Sequence, residues 1–551
     1  MAESLRVMPQ PPLDTNAAPP LGRSLNLWTA AVVLFVGVVL TWQSHTLGLT
    51  TDEVSYIECH EKLLGWLGDF QRLGISENLT PKRLADGWYF GQFYNKNLPL
   101  IGIVSLISDS IFGMFDSRPA SFRWGNVLFF AATAGLIFRW VSAQSSRGAG
   151  LVAVASLIGM PRLTANAALL SLDPLIGGLW IWGTWLVTRS GKGWGNPIAF
   201  AIIVGLGFAT KPTFWFMIPV WLAWGIHKYR KESWRLIAAT AIIGGVTAYL
   251  VLPMWWNNPV AGLWGYWNLL RAESGWQGVD AYYLGKVYQV AGEGKAPWHA
   301  VIVLTLITTP LWILCLWLAG IFRWFRQPAG TEPRILWLVG FGILPLIMML
   351  PGTPCHDGIR MFLPSLLFGA MLAGSGWQLL LDRFAEKSAA KGQVISAVVL
   401  LLAPVMVWWS QPAGLSYYNL LTGGLQGATE AGRPNSRGVL SSPPTFEATY
   451  WWEVMTDGNW KEMQDRIPAG KSVWIYPDFI GKYLLKKWGT LREDLKFAGT
   501  PREADYLLLY GRMGRLMQAE SHPMEVWFQQ MPPVWEVKVR GVRLVTLIKR
   551  P

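Results

Sequence analysis

Directly after the first long apolar run comes Thr50-Thr51-Asp52-Glu53-Val54-Ser55-Tyr56, which sets two adjacent carboxylates where a helix leaves the apolar layer. A carboxylate there can take a proton from an acceptor group, and Tyr56, about one turn on, is a candidate substrate-binding side chain. The same residues also read as a helix start, with Thr51 or Asp52 as cap and Glu53 favouring the dipole. Asp173, in Leu170-Ser171-Leu172-Asp173-Pro174, is another carboxylate candidate, and helix capping before a proline is its local alternative. Lys211, in Thr210-Lys211-Pro212, lies between apolar segments, where an ionisable group is expensive unless it is paired or faces water. The most distinctive cluster is Pro354-Cys355-His356-Asp357-Gly358-Ile359-Arg360-Met361-Phe362-Leu363-Pro364. His356 and Arg360 can donate to phosphate oxygens, with Asp357 beside them, although snorkelling to an interface accounts for Arg360 equally simply. A proton acceptor on one side and cations on the other are what group transfer from a phosphate-linked donor needs.

The sequence sets no metal requirement. His356 and Asp357 are adjacent and cannot easily share one ion, and a divalent cation at Asp52 and Glu53 would need distant ligands. Three cysteines, Cys59, Cys315 and Cys355, are too few for a disulfide framework; Cys315 reads as mid-helix packing, and a Cys59–Cys355 bridge stays open.

The elements that must position these groups are membrane spans. Of 551 residues 52% are hydrophobic and 15% charged, which disfavours a soluble enzyme. The apolar runs 27–47, 121–141, 148–168, 172–188, 197–210, 213–226, 235–254, 298–322, 334–350, 358–380 and 392–410 predict an all-α polytopic domain of about eleven transmembrane helices. The net charge of +13 could suggest nucleic acid, but the basic residues stand in short clusters between apolar runs. Placing Arg139, Arg147, Arg189, Lys192, Lys228, Arg230, Lys231, Arg235, Arg323, Arg326, Arg334, Arg383, Lys387 and Lys391 inside puts the amino terminus in the cytoplasm. The run from Leu98 to Phe115 is then assigned to the outer interface, because a further span would reverse every later loop.

Three regions fall outside: a first loop over 48–120, a second over 255–297 and a tail over 411–551. Short strand-like runs, Ser472 to Tyr476, Asp505 to Tyr510 and Val534 to Ile548, make the tail a small extracytoplasmic α/β domain. Residues 1–26 read as a disordered cytoplasmic tail, Pro-rich and polar, without the pattern of a cleaved signal peptide. Most of the 34 tryptophans read as interfacial anchors, with stacking on sugar rings as the alternative.

Asp52-Glu53 after the first span, Asn97-Leu98-Pro99-Leu100, Asp173-Pro174, Gly205 to Pro219 and His356 to Pro364 together resemble the GT-C glycosyltransferase superfamily, most of all its protein O-mannosyltransferase and aminoarabinose-transferase-like branch. The resemblance covers most of 27–410, and Tyr417 to Trp451 looks like a carboxy-terminal extension of bacterial members. It implies an enzyme of a bacterial-type inner membrane, taking a sugar from a polyprenyl-phosphate donor with inversion, on the outer face, to a protein, lipid or glycan acceptor of the cell envelope. By matching position Asp52 would be the base and Glu53 would orient the acceptor. Asp173 would line the cavity, while Arg360, with Lys211, would hold the donor phosphate. The chain departs from relatives in having Lys96-Asn97-Leu98-Pro99 where many have His before Pro; Lys96 can meet a phosphate, or be a solvated loop lysine. A lipid or sugar transporter and an inactive membrane scaffold are the rival expectations; no inverted repeat marks the former.

Overall fold

The computed structural model describes residues 23–88, 99–273, 280–290, 292–326, 333–384, 389–429, 444–519 and 523–551. It is a helical bundle followed by a small mixed sheet. Helix α1 (Arg23–Thr46) begins inside the stretch expected to be a tail, and the expectation for 1–22 lies outside the described residues. Next come α2 (Thr51–Asn78), α3 (Pro81–Trp88), α4 (Leu100–Phe112), α5 (Ala120–Gln144), α6 (Arg147–Ile158), α7 (Pro161–Ala168), α8 (Leu172–Val187) and α9 (Gly195–Phe208). With 13 residues α4 reaches only about 20 Å, short of a bilayer core. It packs between α2 and α5.

Two runs expected as single spans are broken. Residues 148–168 divide into α6 and α7 at a 75° bend, and 298–322 divide into α14 (His299–Thr308) and α15 (Leu311–Arg326) at 119°. Pro161 and Pro310 stand at the breaks, where proline withholds an N–H and the residue before it leaves the helical region. The carbonyls freed at the second break find a partner far along the chain. Asn419 donates from Nδ2 to the oxygens of Leu306 and Thr309, at 2.6 and 2.7 Å, and from its backbone to that of Ile307 at 2.8 Å. Backbone groups within a membrane have no water to turn to, so this residue replaces what the helix lost.

Between these breaks lie α10 (Met217–Tyr229), α11 (Ser233–Ala239), a π-helical turn (Thr240–Gly244), α12 (Gly245–Leu250) and α13 (Pro259–Glu273). The chain reverses at Arg230 (φ 48°), so that Leu236 packs over Gly225. The bundle closes with α16 (Arg334–Met348), α17 (Leu363–Phe384) and α18 (Ala389–Ser410). Helix α6 is buried from Gly148 to Ile158, with α5, α17 and α18 around it. The tightest approach joins α15 and α17: a Cβ at Gly320 would stand 2.1 Å from the Leu372 carbonyl oxygen, so only glycine permits it. Cys315, expected in packing, is exposed on α15, and no disulfide joins Cys59, Cys315 or Cys355.

At one end of the bundle the arginines hold mostly neutral groups. Arg139 reaches Asn26, Arg147 reaches Ser24, Arg334 reaches the Gln144 carbonyl, and Arg323 reaches Ser145 and, at 3.7 Å, Asp382. The candidate chemistry lies at the other end.

There the hairpin of β1 (Asp280–Tyr283) and β2 (Lys286–Gln289) bridges to Phe446. The carboxy-terminal region adds α19 (Gly424–Thr429), α20 (Asp457–Asp465), β3 (Ser472–Tyr476), α21 (Lys482–Lys487), β4 (Lys496–Phe497), β5 (Tyr506–Tyr510), α22 (Met513–Met517), α23 (Met524–Gln530), β6 (Trp535–Val539) and β7 (Val542–Lys549). The sheet order is β4-β3-β5-β7-β6, with β3 parallel to β4 and β5, and β7 antiparallel to both its neighbours. The run from Val534 to Ile548 is two strands, because Arg540 and Gly541 (φ 50° and 81°) form a two-residue hairpin turn. Backbone bonds from Gly48 to Glu453 (2.8 Å) and Thr51 to Trp451 (3.3 Å) fasten this region to the start of α2.

Candidate functional site

Asp52 and Glu53 stand about 100° apart around the first turn of α2, so they face different surroundings. Glu53 faces inward, 1% exposed. It accepts from the Thr50 backbone (3.0 Å) and hydroxyl (3.1 Å), the Leu170 N–H (2.8 Å), and Nε and Nη2 of Arg123 (2.7 and 2.8 Å). The sequence left a cap and a chemical group as alternatives for this pair, and the structure divides them: Glu53 closes the capping box while Asp52 lines a cavity. Glu53, expected to orient an acceptor, is absent from the cavity wall. Arg123, on α5 and likewise buried, also donates to the carbonyls of Ser44, Leu47 and Gly48, which stitches the end of α1 to the start of α2.

Arg360 is the centre of the other cluster. Its Nη2 meets Asp52, its Nε donates to Asp173 Oδ2 at 3.1 Å, and its Nη1 to Asp357 Oδ2 at 2.9 Å. The guanidinium carbon lies 4.1 Å from the centre of the Trp451 ring. Asp173, fully buried in the first turn of α8, takes Lys211 on its second oxygen at 3.0 Å. Lys211 sits in extended backbone before Pro212, at the turn that follows α9. Snorkelling does not describe Arg360, since three carboxylates and an aromatic face hold it in place.

Asp357 (φ 54°) and Gly358 (φ 66°) make the sharp turn into α17. Besides Arg360, Asp357 accepts from Arg512 Nη2 at 2.9 Å and Trp451 Nε1 at 3.2 Å. Burial would raise its carboxyl, but Arg512, His356 and Arg360 hold it well below the usual range. His356 has Nε2 3.8 Å from Asp357 Oδ2, and its Nδ1 has no hydrogen-bond partner among the described residues. Burial pushes the imidazole down to about 4, with Arg360, Lys211 and Arg512 acting the same way against Asp357. It is therefore a neutral donor at pH 7, not a cation.

The cavity has a volume of about 820 Å³, ample for a sugar phosphate. Asp52, Lys211, His356 and Arg360 form its polar wall, and Phe216, Leu270, Met348 and Met361 an apolar one. The sheet region supplies a third wall with Trp451, Trp452, Tyr476, Arg512 and Arg515. Tyr56 lies beneath the cluster, 1% exposed and outside the cavity lining; burial and Asp52 push its hydroxyl well above the usual value. Lys96 lies outside the described residues. Among the described residues no three His, Cys, Asp or Glu side chains gather as a metal ion would require.

The structure thus brings together Asp52, Asp173, Lys211, His356, Asp357 and Arg360 and sets Glu53 and Tyr56 behind them. Arg512 and Trp451 were not foreseen in the site, Trp451 having been read only among the tryptophans at large and in the carboxy-terminal extension. Arg123 and Arg162 were also missed, although each is an ionisable residue inside an apolar run, a signal that marks function or close pairing.

No protein-family model and no curated protein matches the chain. Among solved structures it is similar to ArnT from Cupriavidus metallidurans in the apo state, at 12% identity and a TM-score of 0.48, over 95% of this chain and 98% of that one. It is also similar to ArnT from Cupriavidus metallidurans bound to undecaprenyl phosphate, at 13% identity and a TM-score of 0.44, over the same shares of the two chains.

Proposed function

We propose that the chain is an integral-membrane glycosyltransferase that moves a sugar from a polyprenyl-phosphate donor to an acceptor on the outer face of a bacterial-type cell membrane. The observation that carries this reading is the meeting of Asp52, Arg360 and Lys211 on one wall of a large cavity whose neighbouring wall is apolar. An acid–base group, two cations and an apolar surface are the three things that a lipid-linked sugar phosphate and its acceptor require together.

Asp52 takes the proton of an acceptor hydroxyl or amine as that atom attacks the anomeric carbon. The bond from that carbon to the phosphate oxygen breaks, and its electrons stay on the phosphate, whose added charge Arg360 and Lys211 offset. Because one displacement occurs, configuration inverts. Arg360 holds Asp52 in the structure, so an incoming phosphate competes for the guanidinium and frees the carboxylate to act as base. Asp173 and Asp357 keep Arg360 and Lys211 in place. Glu53 braces the turn that carries Asp52 and takes no proton.

The gathering of arginines at the far end of the bundle supports reading that end as cytoplasmic, with the site and the sheet region outside. The protein O-mannosyltransferase and aminoarabinose-transferase-like branch is the family reading that fits the motifs, with the acceptor a protein, lipid or glycan.

Purified protein incubated with a panel of polyprenyl-phosphate sugars and envelope acceptors, followed by mass analysis, is expected to yield one glycosylated product. Asp52→Asn abolishes it while the protein still inserts and binds donor. Undiminished transfer by that variant overturns the proposal.

A further inference from the structure

The charges around the cavity balance if only its direct partners are counted. Asp52, Asp173, Asp357 and Asp478 stand against Lys211, Arg360, Arg512 and Arg515. Directly behind this set lies a fifth cation, Arg162, on the first turn of α7 and 3% exposed. It has no carboxylate partner among the described residues. Its Nε donates to the Tyr417 carbonyl at 3.0 Å, its guanidinium carbon lies 4.7 Å from the Tyr418 ring centre and 5.6 Å from that of Tyr450, and its Nη2 has no hydrogen-bond partner among the described residues.

A buried guanidinium held by ring faces and a carbonyl keeps its charge in a region of weak screening, so its field reaches further than that of an exposed arginine. That field falls on the site. A small cavity of about 20 Å³ is lined by Arg162 and Asn166 on one side and by Asp357, Arg360, Tyr450 and Trp451 on the other. Gly358, next to Asp357, presses on the same group: a Cβ there would stand 2.8 Å from Arg162 Nη1 and 3.0 Å from the Tyr450 hydroxyl. Glu447 is the carboxyl nearest in kind to a missing partner, but it is engaged elsewhere, by the N–H groups of Met513 and Gly514. Burial raises it to about 8, which leaves it neutral at pH 7.

We propose that Arg162 is a positioning residue that gives the cavity one surplus positive charge, and that this surplus selects a ligand with an anionic head, the phosphate of the donor. It acts without touching the ligand, through its field and through its seat against the Asp357-Gly358 turn and Tyr450. A site balanced without it would bind a neutral and a charged head with less distinction.

This rests on the donor assigned above, and the two can fail separately. The full chain in detergent is titrated with polyprenyl phosphate and with the uncharged polyprenol of the same length. Wild type prefers the phosphate; Arg162→Met weakens the phosphate about tenfold and leaves the alcohol unchanged, and Arg162→Lys stays within about threefold of wild type for both. Equal losses of both ligands in Arg162→Met mean a packing role and overturn the inference, as does no loss at all. If Arg162→Met does not fold, Arg162→Lys is compared with Arg162→Gln, and an equal preference for phosphate in the two overturns it. No preference in wild type itself overturns the donor assignment, and this inference with it.

Discussion

Arg123 is buried and Arg360 nearly so, both meet an acid of the Asp52-Glu53 pair, and both draw together parts of the chain that are far apart in sequence. They differ in what is left over. Around Arg123, the carbonyls of Ser44, Leu47 and Gly48, a backbone N–H and a capping threonine surround the ion pair, which lies outside the lining of the large cavity. Around Arg360, three carboxylates compete for one guanidinium, and Asp52, 30% exposed, stands open to a large cavity. A closed centre can only hold a fold together. An open one can exchange a protein partner for a ligand.

This contrast can be broken in four places. The largest effect is on turnover: Asp52→Asn is expected to lose transfer by about 10²- to 10⁴-fold, the range of a general base, with an unchanged melting temperature. An unfolded Asp52→Asn would make the open centre structural too. Next, Arg123→Met leaves Glu53 buried without its cation and is expected to cost about 3–5 kcal/mol, seen as early thermal unfolding in detergent. Normal stability with lost transfer would move Arg123 into the chemistry and erase the distinction.

The third and fourth are pH effects near the open centre. Glu447 is raised to about 8 by burial, above its ordinary 4.5, so the folded protein binds the extra proton and stability falls as pH climbs from about 4.5 to 8. Glu447→Gln, neutral throughout, is expected to melt higher than wild type at pH 8 and to differ little at pH 5. His356 runs the other way. Its folded value of about 4 lies below the ordinary 6.5, so the stability it contributes is present above 6.5 and fades as pH falls towards 4. His356→Gln is expected to flatten that acid limb slightly in a melting-temperature series. A limb unchanged in the variant would show that His356 does not sense the cluster.

Much of the open centre was legible because its members are charges at the ends of apolar runs. Asp52, Asp173, Lys211 and Arg360 each stand out locally. A shared cavity was inferred from loop sides; Asp52, Lys211 and Arg360 line one, whereas Asp173, expected to line it, is fully buried behind them and bonded to Lys211 and Arg360. Sequence shows two neighbouring acids but not that a helix turns them apart, Glu53 against Arg123 and Asp52 onto the cavity. Arg512 carried no signal at all: it lies 155 residues from the Asp357 it binds, in an ordinary surface-like stretch. The bends at Pro161 and Pro310 could have been read from the prolines themselves, since apolar length alone made each pair look like one span. The strands of the tail were visible as β-branched and aromatic runs, whereas their order, with β7 between β5 and β6, depends on pairings that no local pattern encodes.

Asn419 makes a last point. The elbow at Pro310 is completed by a residue that lies beyond the final span, so the bundle is unfinished until the chain has left it. Cutting the protein after α18 would therefore not release a trimmed but sound helical half; it would leave the carbonyls of Leu306, Ile307 and Thr309 without the donors that Asn419 brings back to them.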